Sequence, residues 1–142
     1  MYKCQQSLIT HIKTHFTSPQ VRTIEEYAGQ LKDAHKLTQL LPAVLVMYID
    51  GYPAAEDRQH VFDLIVITQS KTFIKKENRN ANLQLSSDVA IWLKQNPIFQ
   101  PYDSSIGSYE ILRESMYVRT LLADARFTII AIRTQVKDYT DD

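Results

Sequence analysis

The sequence predicts an α+β domain: a mainly antiparallel sheet of two hairpin-like strand pairs, with an N-terminal helix and a middle helix packed on one face. Three observations predict it. Two apolar runs, Ala43–Ile49 and Val61–Ile67, are joined by a polar link, DGYPAAED, that carries Gly51 and Pro53. That link is too short for the crossover a parallel pair needs, so the runs should form an antiparallel hairpin. Apolar residues recur at helical spacing in two other stretches, and a second pair of strand-like runs closes the chain. Helices set beside antiparallel pairs give an α+β layer architecture.

Taken in order, residues 3–16 read as the first helix, because Leu8, Ile12 and Phe16 recur at i, i+4, i+8 with Ile9 beside them. Ser18-Pro19 stops it, since the residue before proline avoids helical angles. Val21–Tyr27 reads as a short strand and Gly29 as a turn. Asp33–Leu40 reads as a short helix capped by Asp33, and Leu41-Pro42 ends it. Ala43–Ile49 is nearly all apolar, as a strand covered on both faces would be. Asp50–Asp57 is a connector and Gln59–Ser70 the partner strand. Lys71–Asn82 (KTFIKKENRNAN) reads as a long basic loop flowing into a helix marked by Leu85, Val89 and Trp92. Asn96-Pro97 closes that helix and 97–107 is loop. Tyr109–Tyr117 and Arg126–Val136 read as the second strand pair. The acidic tail, about 137–142, reads as frayed.

At 142 residues the chain is close to the commonest domain size, so 1–142 reads as one domain. Lys plus Arg number 16, as do Asp plus Glu, and this balance argues against a non-specific grip on nucleic acid. A single cysteine, Cys4, allows no intramolecular disulfide and no cysteine-rich metal site. No run approaches the 18 or so apolar residues of a membrane span. The first residues, MYKCQQSLITHIK, lack the apolar core of a signal peptide, so a cytosolic chain is expected.

Catalytic patterns are thin. His11 and His15 stand at i, i+4, but no further ligand follows at zinc-site spacing. Asp63, Gln69 and Lys71 mimic the acidic–Gln-x-Lys signature of metal-dependent nucleases. On one strand, however, Asp63 and Gln69 would be about 20 Å apart, too far to share a magnesium ion. The pairs Glu25-Glu26 and Glu56-Asp57 would point to opposite faces of a strand and read as solvated edges. A base-stacking sheet using Tyr48 and Phe62 would want a basic face that zero net charge does not supply. No enzyme, cofactor or metal is expected.

Two features suggest contact with other proteins. The segment 71–80 sets Lys71, Lys75, Lys76 and Arg79 against Glu77, with Phe73 and Ile74 in its middle. Apolar residues exposed in a charged loop mark interfaces. The long, mostly uncharged strand 126–136, with Phe127 and Ile129 on one face, reads as a free sheet edge where a neighbour could dock.

The stretches VRTIEEYAGQLKD, LLPAVLVMYIDG, FDLIVITQS and RFTIIAIRTQV, with a Tyr27-Ala28-Gly29 turn and a Leu41-Pro42-Ala43 strand entry, resemble the small tail proteins of Mu-like phages and prophages. These look related to the tail terminators of long-tailed phages. The resemblance spans roughly residues 5–136. The basic 71–80 segment and the acidic C-terminus depart from it. It implies a structural subunit, without catalysis, that forms a hexameric ring at the head-proximal end of the tail tube. Such a ring stops tube polymerisation and helps join the head. The implied partners are the chain itself, the tail tube protein and a head-completion or neck protein, with phage DNA passing the lumen and no membrane. The implied place is the host cytoplasm during assembly, then the virion tail or a DNA-free tail-like particle. Another neck or baseplate role would use the same features. On this reading Lys71, Phe73, Ile74, Lys75, Lys76, Arg79, Phe127 and Ile129 are the expected contact residues.

Overall fold

The computed structural model describes residues 2–52, 58–124 and 126–140. The chain runs α1 (Tyr2–Lys13), β1 (Thr23–Glu26), a 3-10 turn at Gln30–Lys32, α2 (Ala34–Leu40), β2 (Ala43–Tyr52), β3 (Gln59–Gln69), α3 (Lys75–Gln95), β4 (Ile98–Phe99), β5 (Tyr109–Ile111), a 3-10 turn at Arg113–Ser115, β6 (Tyr117–Ala123) and β7 (Phe127–Asp138). The strands form one seven-stranded sheet in the order β1-β2-β3-β7-β5-β4, with β6 also paired to β7. Among the described residues, only β1 and β2 pair in parallel. The α+β class and the β2–β3 hairpin are as expected from the sequence.

Alternation along β2 and β3 divides the core in two. Val44, Val46, Phe62, Leu64 and Val66 face one way, with Ile132 and Val136 of β7. Leu8 and Ile12 of α1 and Leu85, Val89 and Leu93 of α3 seal that face, so both helices lie on the same side. Ala43, Leu45, Ile65, Ile67, Phe127 and Ile129 face the other way and pack under Leu37 and Leu41 around α2. Because both faces are covered there, β2 and β3 read as almost unbroken apolar runs. Asn82 ties α3 to the sheet: its buried amide donates to the carbonyls of Val66 (3.1 Å) and Thr128 (2.7 Å) and to Thr68 (3.0 Å). The Asp33 carboxylate caps α2 by accepting from the Lys36 amide at 3.2 Å.

Five expectations need correction. The first helix ends at Lys13, and Phe16 is buried just beyond it as the chain turns. The run 109–117 is two strands: β5 stops at Ile111, a 3-10 turn follows, and β6 begins at Tyr117. The Leu112 amide donates to the Gln135 carbonyl at 2.9 Å, so the chain follows the same edge of β7 from β5 toward β6. Residues 97–107 include the short strand β4, paired to β5. The segment 71–82 is loop only to Ile74, after which α3 is already helical. Asn78 organises that loop, accepting from the amides of Lys71 (2.9 Å) and Thr72 (3.1 Å) and donating to the Thr72 carbonyl (2.7 Å).

The tail is the fifth correction. β7 extends to Asp138, whose carboxylate binds Arg58 (3.0 Å), His60 (2.9 Å) and the Thr140 hydroxyl (2.6 Å). Thr140 is buried against Gly107, where an added Cβ would meet the Thr140 Cα at 2.5 Å. Gly107 also has φ 111°, a conformation that favours glycine. Residues 141–142 of the expected frayed tail, and most of the Asp50–Asp57 connector with the Glu56-Asp57 pair, lie outside the described residues.

Candidate protein-docking surface

The sequence expected a free edge at 126–136, but β7 is an inner strand. It pairs with β3 on one side along its whole length, and with β6 and β5 on the other. Phe127 and Ile129 are each only 7% exposed, packed in the core with Leu37 and Ile67. The edge belongs to β6, which pairs with β7 alone among the described residues.

β6 is exposed over nearly its whole length, with Tyr117, Val118, Leu121 and Leu122 all open to solvent. Its register slips between Thr120 and Leu122, so Leu121 drops out of the ladder as a bulge. Arg119 shares a face with Arg133 and Tyr117. That pattern of an exposed, bulged strand with a mid-strand charge is how soluble sheets manage an open edge. In the sequence, the YVRTLLA run before Asp124 is the signal for this strand.

The basic segment adjoins the same edge. Phe73 is 104% exposed and Ile74 55% exposed, at the tip where β3 turns into α3. Lys75, Lys76 and Arg79 on the first turns of α3 line a shallow hollow of about 350 Å³ with Ala123 of β6. Ser70 fastens tip and edge together: its amide donates to the Arg126 carbonyl (2.8 Å) and its hydroxyl to the Asp124 carbonyl (2.9 Å). The Asp124 carboxylate accepts from the amides of Phe127 (2.9 Å) and Arg126 (2.7 Å) and closes the β6–β7 turn. Those amide bonds, outweighing the cost of burial, hold its carboxyl below the usual range. Six of the expected contact residues, Lys71, Phe73, Ile74, Lys75, Lys76 and Arg79, are exposed and grouped here, whereas Phe127 and Ile129 are in the core.

Elsewhere, reactive side chains are engaged with one another or with the core. Asp63 is 2% exposed and receives Arg133 on both oxygens, at 2.6 and 3.1 Å, with Arg119 at 3.6 Å. The hydrogen bond to Asp63 holds the Arg133 guanidinium further above its ordinary range. Gln69 pairs with Phe127 at the far end of β3, so Asp63, Gln69 and Lys71 do not converge. His11 stacks on Phe99 and approaches the Asn96 carbonyl at 2.8 Å, while His15 stacks on Trp92. Burial lowers the His11 pKa against the pull of that carbonyl. Burial, then the nearby Asp138 carboxylate, pushes the Cys4 thiol up, away from thiolate chemistry. Among the described residues, no three or more His, Cys, Asp or Glu gather as a metal site, and no helix is long and apolar enough to cross a membrane.

No protein-family model matches the chain, and no curated protein matches its sequence.

Proposed function

We propose that this chain is a structural subunit of phage-tail assembly, a tail terminator that acts by docking on other protein chains. One observation carries the reading: the open β6 edge, with four exposed apolar residues, continues into the Phe73–Ile74 tip and its lysines. An exposed apolar patch rimmed by charge marks a protein contact. An edge strand lends it unpaired amides and carbonyls for a partner's backbone. The resemblance to Mu-like tail proteins supplies the class of partner: its own copies in a ring, the tail tube protein and a neck protein. In that role the chain stops tube growth at the head-proximal end and helps head joining.

The test is complementation of a tail-defective prophage. The wild-type chain is expected to restore tails of uniform length. A Lys75→Glu/Lys76→Glu variant is expected to leave tubes overlong or unjoined in electron micrographs, with its own melting temperature unchanged. Uniform, joined tails made by that variant and by a Leu121→Asp/Leu122→Asp variant would overturn the reading.

A further inference from the structure

Two of the sheet's open edges, β1 and β6, stand level with each other, while the two-residue β4 ends the branch through β5. Register carries one row from Glu25 through Leu45, Ile65 and Ala131 to Arg119, and the next from Glu26 through Val46, Leu64 and Ile132 to Val118. Residues opposite one another share a face. Glu25 at one edge and Arg119 at the other therefore occupy the same row and face, at opposite ends of the sheet. Strand direction matches as well. β1 is parallel to β2 and each later step to β6 is antiparallel, so β6 laid beside the β1 of a like-oriented copy would run antiparallel to it.

Charge chooses between ways of using the edges. Around β6, Arg119, Lys75, Lys76, Arg79 and Arg126 are exposed, with Glu77 opposing them and Asp124 occupied in its turn. β1 offers Glu25, whose carboxylate also accepts from Gln30 at 3.1 Å, and Glu26, beside a groove of about 400 Å³ whose lining includes Ile9, Ile24 and Lys13. Arg22, just before β1, is committed to the Gln39 carbonyl at 3.1 Å. Pairing β6 with a second β6 would set one basic end against another, which like-charge repulsion opposes. Pairing β6 with β1 sets cations on carboxylates.

We infer that the β6 edge of one copy seats on the β1 edge of the next, antiparallel and head to tail, with Arg119 opposite Glu25. This rests on the docking reading and names its self-contact. The amides of Thr23 and Tyr27 bond to the Pro42 and Val46 carbonyls, so Ile24 and Glu26 turn their backbone groups outward. The Glu26 carbonyl already accepts from Gln30 at 2.9 Å, which leaves the Ile24 groups for the neighbour and gives side chains most of the contact. A head-to-tail contact of this kind is heterologous, and it closes into a ring when the rotation per copy divides the circle.

Single-cysteine variants Glu25→Cys and Arg119→Cys, mixed and oxidised, are expected to yield a disulfide dimer holding one of each. Opposed residues place their Cβ atoms about 4.5–5.5 Å apart, at the edge of disulfide reach. Cys4, 1% exposed, stays out of the reaction. A dimer formed by Arg119→Cys alone would establish a symmetric contact and overturn the inference, as would a mixture that gives no disulfide. Arg119→Glu and Glu25→Arg are each expected to shift the native mass from ring to monomer. Mixed together, or combined in one chain, they are expected to recover the ring, and a combined chain that stays monomeric overturns the inference. Because Arg119 also lies 3.6 Å from Asp63, melting curves accompany each variant. A chain that fails every cross-link but still produces uniform tails leaves the docking reading standing without this contact, and loss of both removes both.

Discussion

β6 and β7 are neighbours, paired over six registered positions and joined by a tight turn, yet their fates are opposite. Over Tyr117–Ala123 and Phe127–Arg133 each holds five apolar residues, one threonine and one arginine, Arg119 and Arg133. In β7 the residues from Phe127 to Ile132 are all buried; in β6 those from Tyr117 to Leu122 are all exposed. The difference is the number of sides paired and faces covered. β7 has β3 on one edge and β6 with β5 on the other, with α3 above it. β6 has one partner and an open flank. Similar apolar content thus fills the core in one strand and stays open to solvent in the other.

The comparison breaks most sharply under truncation. Ile132→Ala in β7 removes a fully buried side chain and is expected to cost about 2–5 kcal/mol in urea unfolding. A cost under about 1 kcal/mol would show that β7 is not the packed centre described. Next comes Asn82→Ala, which leaves the Ser86 hydroxyl and the Val66 and Thr128 carbonyls short of a partner. About 2 kcal/mol is expected, measured the same way.

The C-terminal end of β7 gives a pH test. Burial pushes the Asp138 carboxyl up, but bonds from Thr140 and His60 and the charge of Arg58 outweigh it and hold the pKa below its ordinary 3.8. A depressed folded-state pKa contributes stability that is present above 3.8 and lost as pH falls through the folded value. Wild type should therefore exceed Asp138→Asn in melting temperature at neutral pH. The two curves should converge as the pH drops below 3.8, and a constant gap across that range would refute the account.

The smallest stability effect should fall on β6, where Leu121→Ala is expected to change stability by less than about 0.5 kcal/mol. Native mass spectrometry of the same variant should nonetheless show weakened self-association. A large stability loss with assembly intact would reverse the roles assigned to the two strands.

Much of the fold was legible because its signals are local. The β2–β3 hairpin followed from two apolar runs and a short link, α2 from the Asp33 cap, and the C-terminal half of α3 from Leu85, Val89 and Trp92. The start of α3 was missed because residues 75–80 are polar and mostly exposed, so helical periodicity has no apolar residue to mark it. Among the expected contact residues, those on the 71–79 segment were readable from charge beside stray apolar side chains. Phe127 and Ile129 were misplaced because an apolar strand looks the same whether its second edge is paired or open.

By itself the sequence determined which segments are apolar enough to become strands, where turns and caps interrupt them, and that positive charge gathers with Phe73 and Ile74. Only the tertiary structure decided that β7 lies inside the sheet, that β6 forms its edge, and that Glu25 and Arg119 share a row from opposite sides. Alternation and propensity act over a few neighbouring residues. Strand order is settled by hydrogen bonding between segments far apart in the chain, such as β3 with β7, and no local pattern records which segment will arrive last.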